Sequence, residues 1–147
     1  MIRPATATDA SRIAEILIFS KRMNYRRIFQ DDKVSFGEMQ VYPLAQSYMD
    51  DPNKLDGIWV FDDEFVKGMI HIKENEIAEL YVEPFFTGQG IGGMLIDFAI
   101  EQMGCNLLWV LEKNGKAIRF YQRHGFVLTT EKRYQEGTTE FIVKMKR

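Results

Sequence analysis

Three glycines stand at alternate positions in Thr87-Gly88-Gln89-Gly90-Ile91-Gly92, and Gly93 follows. An apolar helical pattern starts there, with Ile91, Leu95, Phe98, Ala99 and Gln102 on one face. Residues 77–82, IAELYV, read as the strand before it. Strand, glycine loop and helix in succession can form an anion cradle. The first helical turn has N–H groups without partners and the positive end of the helix dipole. Residues lacking side chains let a phosphate reach those groups. The same glycines would also serve a tight turn that binds nothing. A second set of reactive groups lies on the strand, where Glu76, Glu79 and Glu83 supply carboxylates. Strand alternation puts Glu79, Tyr81 and Glu83 on one face, opposite Leu80 and Val82.

Gly88-x-Gly90-x-x-Gly93 also matches the dinucleotide fingerprint, with Glu112 about 20 residues on as the ribose-binding acid. In that fold the first glycine follows the strand almost directly, whereas Glu83-Pro84-Phe85-Phe86-Thr87 intervene here. Further strand–helix repeats are also required, and after Glu112 the chain has one short helix and a hairpin. The nucleotide reading is therefore set aside.

The elements that must position these residues can be read along the chain. Residues 2–6 form an opening strand. A helix capped at Thr8 or Asp9 follows, with Ile13, Ile16, Leu17 and Ser20 on one face. The charged segment 21–32 interrupts that periodicity. A second helix is expected from Phe36 to about Met49, stopped by Asp50-Asp51-Pro52. Strands at 57–61 and 65–72 flank a hairpin at Asp62-Asp63-Glu64, and a turn at 73–75 leads to strand 77–82. Gly104 ends the glycine helix, and 107–112 reads as a buried strand. A helix over 116–124 closes at Gly125, a left-handed cap position. A last strand pair surrounds Glu136-Gly137. The resulting order, β α α β β β α β α β β, defines a mixed α/β (α+β) fold with one strand–helix–strand crossover.

Composition narrows the function further. The 147 residues suit one domain, 1–147, and 46% apolar with 27% charged residues is ordinary for a globular protein. A net charge of −2 offers no basic field for nucleic acid or a membrane surface. One cysteine, Cys105, and two histidines, His71 and His124, are too few for a zinc cluster, so no metal is expected. With no leader pattern and no long apolar run, a cytoplasmic location is the expectation.

Two stretches resemble one family. LYVEPFFTGQGIGGMLIDFAIE is similar to the pyrophosphate-binding segment of the GCN5-related N-acetyltransferases (GNAT), with Thr87 where Arg or Gln is usual. VLEKNGKAIRFYQRHGF resembles the family's second signature through Asn114, Ala117, Phe120, Tyr121, Gly125 and Phe126. The resemblance covers about residues 76–126. It implies an acyl-CoA N-acyltransferase fold, a mostly antiparallel sheet of about seven strands flanked by about four helices. It implies acetyl-CoA as co-substrate and transfer of acetyl to a primary amine of a small molecule or peptide. The alternative is a non-catalytic acyl-CoA sensor or scaffold, which Thr87 favours. A homodimer is common in the family.

By the same resemblance, Leu80, Tyr81, Val82, Thr87, Gly88, Gln89, Gly90, Ile91, Gly92, Asn114, Ala117, Phe120 and Tyr121 contact the cofactor. The Val82 N–H is the expected donor to the thioester carbonyl, and Tyr121 the acid at the sulfur. Asn114 holds the pantetheine arm, caps a helix, or both. An alkylammonium with a pKa near ~10 must lose a proton before attack. Glu79 is the expected base, its pKa raised by burial, with Glu83 second and a water relay the alternative. His71 reads as structural, and His124 as a helix-end group. Cys105 has no neighbouring base for an acyl-cysteine route. Lys21, Arg22, Arg26 and Arg27 read as a solvated helix end near the acceptor. Tyr25, Phe29, Phe36, Tyr42 and Tyr48, within the region 21–56, line the acceptor pocket or pack.

Overall fold

A computed structural model describes residues 1–147. Seven strands form one sheet: β1 (Ile2–Pro4), β2 (Ile58–Asp63), β3 (Phe65–Lys73), β4 (Glu76–Val82), β5 (Leu107–Leu111), β6 (Val127–Tyr134) and β7 (Phe141–Lys146). Their spatial order is β1-β2-β3-β4-β5-β7-β6. All neighbours are antiparallel except β4 and β5. Four α-helices flank the sheet: α1 (Ala10–Phe29), α2 (Val41–Asp50), α3 (Ile91–Glu101) and α4 (Gly115–Arg123). The expected mixed fold and element order are therefore present.

Each face of the sheet carries its own apolar layer. Ile13, Ile16 and Leu17 of α1 pack with Val60, Met69 and Tyr81 on one side. Leu95, Ile96 and Ala99 of α3 pack with Ile70, Leu108, Phe126 and Met145 on the other. Gly68 of β3 makes this second layer close-fitting. A Cβ there would lie 3.0 Å from Ile91 Cγ2 and 3.1 Å from Leu95 Cδ1.

Two helix expectations are corrected. The first helix does not fade after Ser20 but continues to Phe29, where Gln30 adopts left-handed backbone (φ 52°). Its periodicity breaks because its second half faces a cleft instead of the core. Residues 36–49 are not one helix. A wide π-type turn covers Lys33–Glu38, and α2 begins only at Val41. Pro43 explains this, because proline is tolerated in a first helical turn but breaks a helix interior. Asp9 directly precedes α1, as expected, and its carboxylate reaches back to the short turn Ala7–Asp9 before it. The Thr6 N–H donates to the Asp9 carboxylate at 2.8 Å, so the helical turn starts one residue after Thr6.

The decisive irregularity is in β4. His71 pairs with Glu79 and Ile72 with Ile77, so Ala78 is an extra residue on β4. Such a bulge bends and twists the strand that carries it. Glu76↔Leu107 and Ile77↔Leu108 are the only pairs between β4 and β5. The parallel ladder therefore stops where the bulge begins, and the two strands diverge.

Candidate active site

The divergence opens one wall of a cleft of about 1030 Å³. Its lining runs from Lys21, Tyr25 and Phe29 on α1, across Glu79–Tyr81 and Trp109–Leu111, to the turn between β6 and β7. Backbone groups are left free inside it. The Glu83 N–H donates to the Lys67 carbonyl at 2.8 Å. Antiparallel bonding alternates along a strand, so the N–H groups of Leu80 and Val82 point the other way, toward β5. The side chains of Leu80 and Val82 pack in the α3–α4 layer, which leaves their backbone to face the gap.

At the end of β4 the glycine loop leads into α3. Gly88 (φ 81°) and Gly90 (φ 82°) are left-handed, and a Cβ on either would meet nothing within 4 Å. Gly90 precedes α3, and no side chain caps that helix start. The N–H groups of Ile91, Gly92 and Gly93 precede the first helical bond, which Met94 N–H makes to the Gly90 carbonyl at 3.0 Å. Open space, free donors and missing side chains fit a pyrophosphate. Gly92 also lets α3 approach α4, since a Cβ there would lie 3.4 Å from Phe120 Cζ. Ile91 is buried and can offer only its N–H. Gln89 is exposed. The Thr87 hydroxyl donates to the Pro84 carbonyl at 3.1 Å, closing the turn before the loop.

From the other side, α4 supplies Asn114, Ala117 and Tyr121 to the cleft. Asn114 Oδ1 accepts the Ala117 N–H at 3.2 Å, so the capping reading holds and Asn114 also faces the cleft. Phe120 packs edge-on to Tyr121, with centroids 5.3 Å apart. Burial, with a smaller effect of Tyr25, raises the Tyr121 phenol well above its ordinary value. It keeps its proton at physiological pH.

Tyr81 lies on the face opposite Leu80 and Val82, as strand alternation requires, and lines the cleft. Its side chain turns to the α1 layer, where its hydroxyl lies 3.0 Å from that of Tyr25. Tyr25 is thus a cleft residue paired with a buried phenol, and Phe29 joins it there. Of the other aromatics, Phe36 lies under the guanidinium groups of Arg22 and Arg26 (5.2 and 5.4 Å). Tyr42 is exposed, and Tyr48 is buried beneath Glu79.

Glu79 faces the cleft as its strand face requires, but the expected rise of its pKa is corrected. Burial pushes it up, and His71 and Lys21 outweigh burial and hold it below the usual value. His71 Nδ1 is 3.7 Å from Oε1, and Lys21 Nζ is 3.5 Å from Oε2. Neither neighbour is close in sequence. Glu83 is buried in an ion pair with Arg12 at 3.1 Å, and Arg12 also donates to the Val66 carbonyl at 2.6 Å. That pairing ties α1 to β3 and occupies the carboxylate.

The basic cluster is mostly engaged as well. Arg22 donates to the carbonyls of Ser35 and Met39 at 2.9 and 2.7 Å, which holds the π-type turn. Arg26 pairs with Asp32 at 2.9 Å, and Arg27 is exposed. His124 packs on Phe120 at 4.9 Å and lies 3.5 Å from Asp97. Cys105 is buried, which raises its thiol pKa, so a reactive thiolate is disfavoured there.

A bulged β4 diverging from β5, with a glycine loop at one end and α4 opposite, defines the acyl-CoA N-acyltransferase architecture. A family model described as an acetyltransferase (GNAT) domain matches residues 54–128, a little over half of the 147 residues. The chain belongs to this family. An uncharacterized N-acetyltransferase of Methanocaldococcus jannaschii is 48% identical over 56 residues, 35% of this chain and 25% of that protein. The match thus spans about a quarter of that relative's length. The peptidyl-lysine N-acetyltransferase YiaC of Escherichia coli is 27% identical over 127 residues, 86% of this chain and 82% of its own. Among solved structures, the PaiA N-acetyltransferase of Thermoplasma acidophilum in complex with coenzyme A superposes with a TM-score of 0.71. Identity is 24%, covering 100% of this chain and 98% of that one. YncA of Salmonella typhimurium with acetyl-CoA gives 0.68 at 19% identity, covering 100% and 92%. At these identities the structural likeness concerns the fold.

Proposed function

We propose that residues 1–147 act as one N-acetyltransferase domain that moves an acetyl group from acetyl-CoA to a primary amine. The observation that carries this reading is the β4–β5 divergence, whose free backbone edge runs from the glycine loop to Tyr121. The pyrophosphate would rest on N–H groups from Gly88 to Gly93. With the Thr87 hydroxyl turned to Pro84, this grip is made by backbone alone. Asn114 and Ala117 would flank the pantetheine arm.

The amine would attack the thioester directly. Glu79 takes its proton, the Val82 N–H donates to the carbonyl oxygen as it gains charge, and the Tyr121 hydroxyl donates to the departing sulfur. The raised Tyr121 pKa suits a hydrogen-bond donor better than a full proton donor. The cleft carries Asp31, Glu79, Glu136 and Glu140 against Lys21 and Lys73, which favours an alkylammonium acceptor over an anionic one. A lysine side chain, as in the named substrate class of YiaC, or a small polyamine has that chemistry.

The test is release of coenzyme A thiol from acetyl-CoA in the presence of a panel of alkylamines and lysine peptides. Acceptor-dependent thiol release with matching acetylated product is expected. Tight acetyl-CoA binding without turnover on any amine would favour the sensor reading.

A further inference from the structure

Lys21 is an alkylammonium placed where the acceptor's alkylammonium is expected. Its Nζ lies 3.5 Å from Glu79 Oε2, and its partly exposed side chain lines the main cleft. The root of that side chain is fixed beside the acetyl-transfer point. Ser20, the preceding residue of α1, is buried and donates from its hydroxyl to the Val82 carbonyl at 3.4 Å. Consecutive Cα atoms are about 3.8 Å apart, so the Lys21 backbone sits against the end of β4 that carries the Val82 N–H. One turn further along α1, the Tyr25 hydroxyl meets that of Tyr81 at 3.0 Å. These two contacts hold the helix on β4 at either side of Lys21.

From this arrangement we infer that Lys21 is an autoacetylation site, its amine taking the acetyl group of acetyl-CoA bound in the same chain. This rests on the reading of the cleft as an acetyl-CoA site with Glu79 as the base. The Lys21 ammonium loses a proton to the Glu79 carboxylate. Rotation about its side-chain bonds then brings the nitrogen's electron pair to the thioester carbon at Val82. A nitrogen–carbon bond forms and the carbon–sulfur bond breaks. The sulfur leaves with its electron pair and gains a proton, the nitrogen sheds its second proton as the amide forms, and Glu79 releases the first to water. The products are N-ε-acetylated Lys21, coenzyme A thiol and one proton in solution. No oxidant or reductant is needed.

Two features favour this lysine. A nucleophile already held in the site needs no binding step, which gives it a high effective concentration against a dilute free amine. The carboxylate that must deprotonate it is already its partner. Lys33, Lys116 and Lys146 are more exposed but lie outside the cleft. Acetylation would also retune the base. The modified side chain carries no charge, so Glu79 loses one of the two neighbours that hold it ionised.

The test needs no external acceptor. The protein is incubated with acetyl-CoA, and intact mass with peptide mapping follows each lysine, beside a calorimetric titration of acetyl-CoA. One acetyl group per chain is expected on Lys21, appearing about 10-fold faster or more than on Lys33, Lys116 or Lys146. The rate constant should not change with protein concentration, since donor and lysine share a chain. Excess coenzyme A should slow the labelling of Lys21 and leave the exposed lysines unaffected. S-acetyl-N-acetylcysteamine, a thioester without the nucleotide diphosphate, should label the exposed lysines first. Lys21→Arg should lose the fast label and keep its affinity for acetyl-CoA. Acetyl-CoA binding with Lys21 left unmodified, or modified no faster than the exposed lysines, would overturn the autoacetylation and leave the cofactor site. A rate constant that rises with protein concentration would also overturn it, because transfer would then run between chains. No binding of acetyl-CoA would overturn both.

Discussion

Tyr121 and Glu79 are asked to do opposite things, and their surroundings separate them. Burial holds the proton on the phenol, while His71 and Lys21 keep the carboxylate ionised despite its burial. Tyr121→Phe removes only the hydrogen bond to the leaving sulfur. It should lower kcat by about 10²-fold with little change in acetyl-CoA affinity. Steady-state rates paired with a binding titration check this, and an unchanged kcat would end the donor role. Lys21→Met removes a positive neighbour from Glu79, so the Glu79 pKa rises. Ionised base is then lost at higher pH, and the acid limb of the kcat/KM profile should move upward. A limb that stays in place would show that Glu79 does not set it. Strand alternation located Glu79 on the right face, but burial alone pointed its pKa in the wrong direction. That burial was legible from the apolar run around it. Its cross-strand neighbour His71 and the distant Lys21 became visible only with the register and the α1 packing.

At the scale of elements, the glycine loop was readable because its chemistry is local. Gly90→Ala should cost about 1–2 kcal/mol, the penalty for an ordinary residue at left-handed φ, since its Cβ touches nothing. The same methyl group intrudes on the proposed phosphate site, so coenzyme A affinity should fall as well. Chemical denaturation and calorimetric titration separate these effects, and unchanged affinity would remove the loop from the cofactor site. The entry to α1 gives a pH prediction. The bidentate Arg3 hydrogen bonds to Asp9, at 2.8 and 2.9 Å, hold the Asp9 carboxyl below its usual range. Its stabilisation is complete above the unfolded carboxyl pKa of about 4 and fades as pH falls through the lower native value. Asp9→Asn should cost about 1–3 kcal/mol at pH 7. The mutant and wild-type stabilities should converge in acid, and a pH-independent difference would contradict the assignment. Helix boundaries were less legible. Pro43 was the available signal that 36–49 could not be one helix. Nothing local marked the continuation of α1 past Ser20, because that half faces a cleft.

The whole molecule depends on one defect in its sheet. A regular β4 would pair with β5 along its length and leave no free N–H at Leu80 or Val82. The extra residue at Ala78 ends that pairing after Ile77 and creates the space that the loop and α4 then border. Strand alternation supplied the element order and the inner faces, yet a bulge without glycine or proline leaves no trace in composition. The divergence therefore became visible only with the strand register. No helix of the protein is long and apolar enough to cross a membrane. The decisive measurement is thermal unfolding with acetyl-CoA, coenzyme A or NAD in millimolar excess. A ligand at about 100 times its dissociation constant adds roughly 2.7 kcal/mol, a rise of about 5–10 °C for a domain of this size. That rise is expected with both coenzyme A compounds and not with NAD. A rise with NAD alone, or no response to either coenzyme A compound, would contradict a coenzyme A site on the glycine loop.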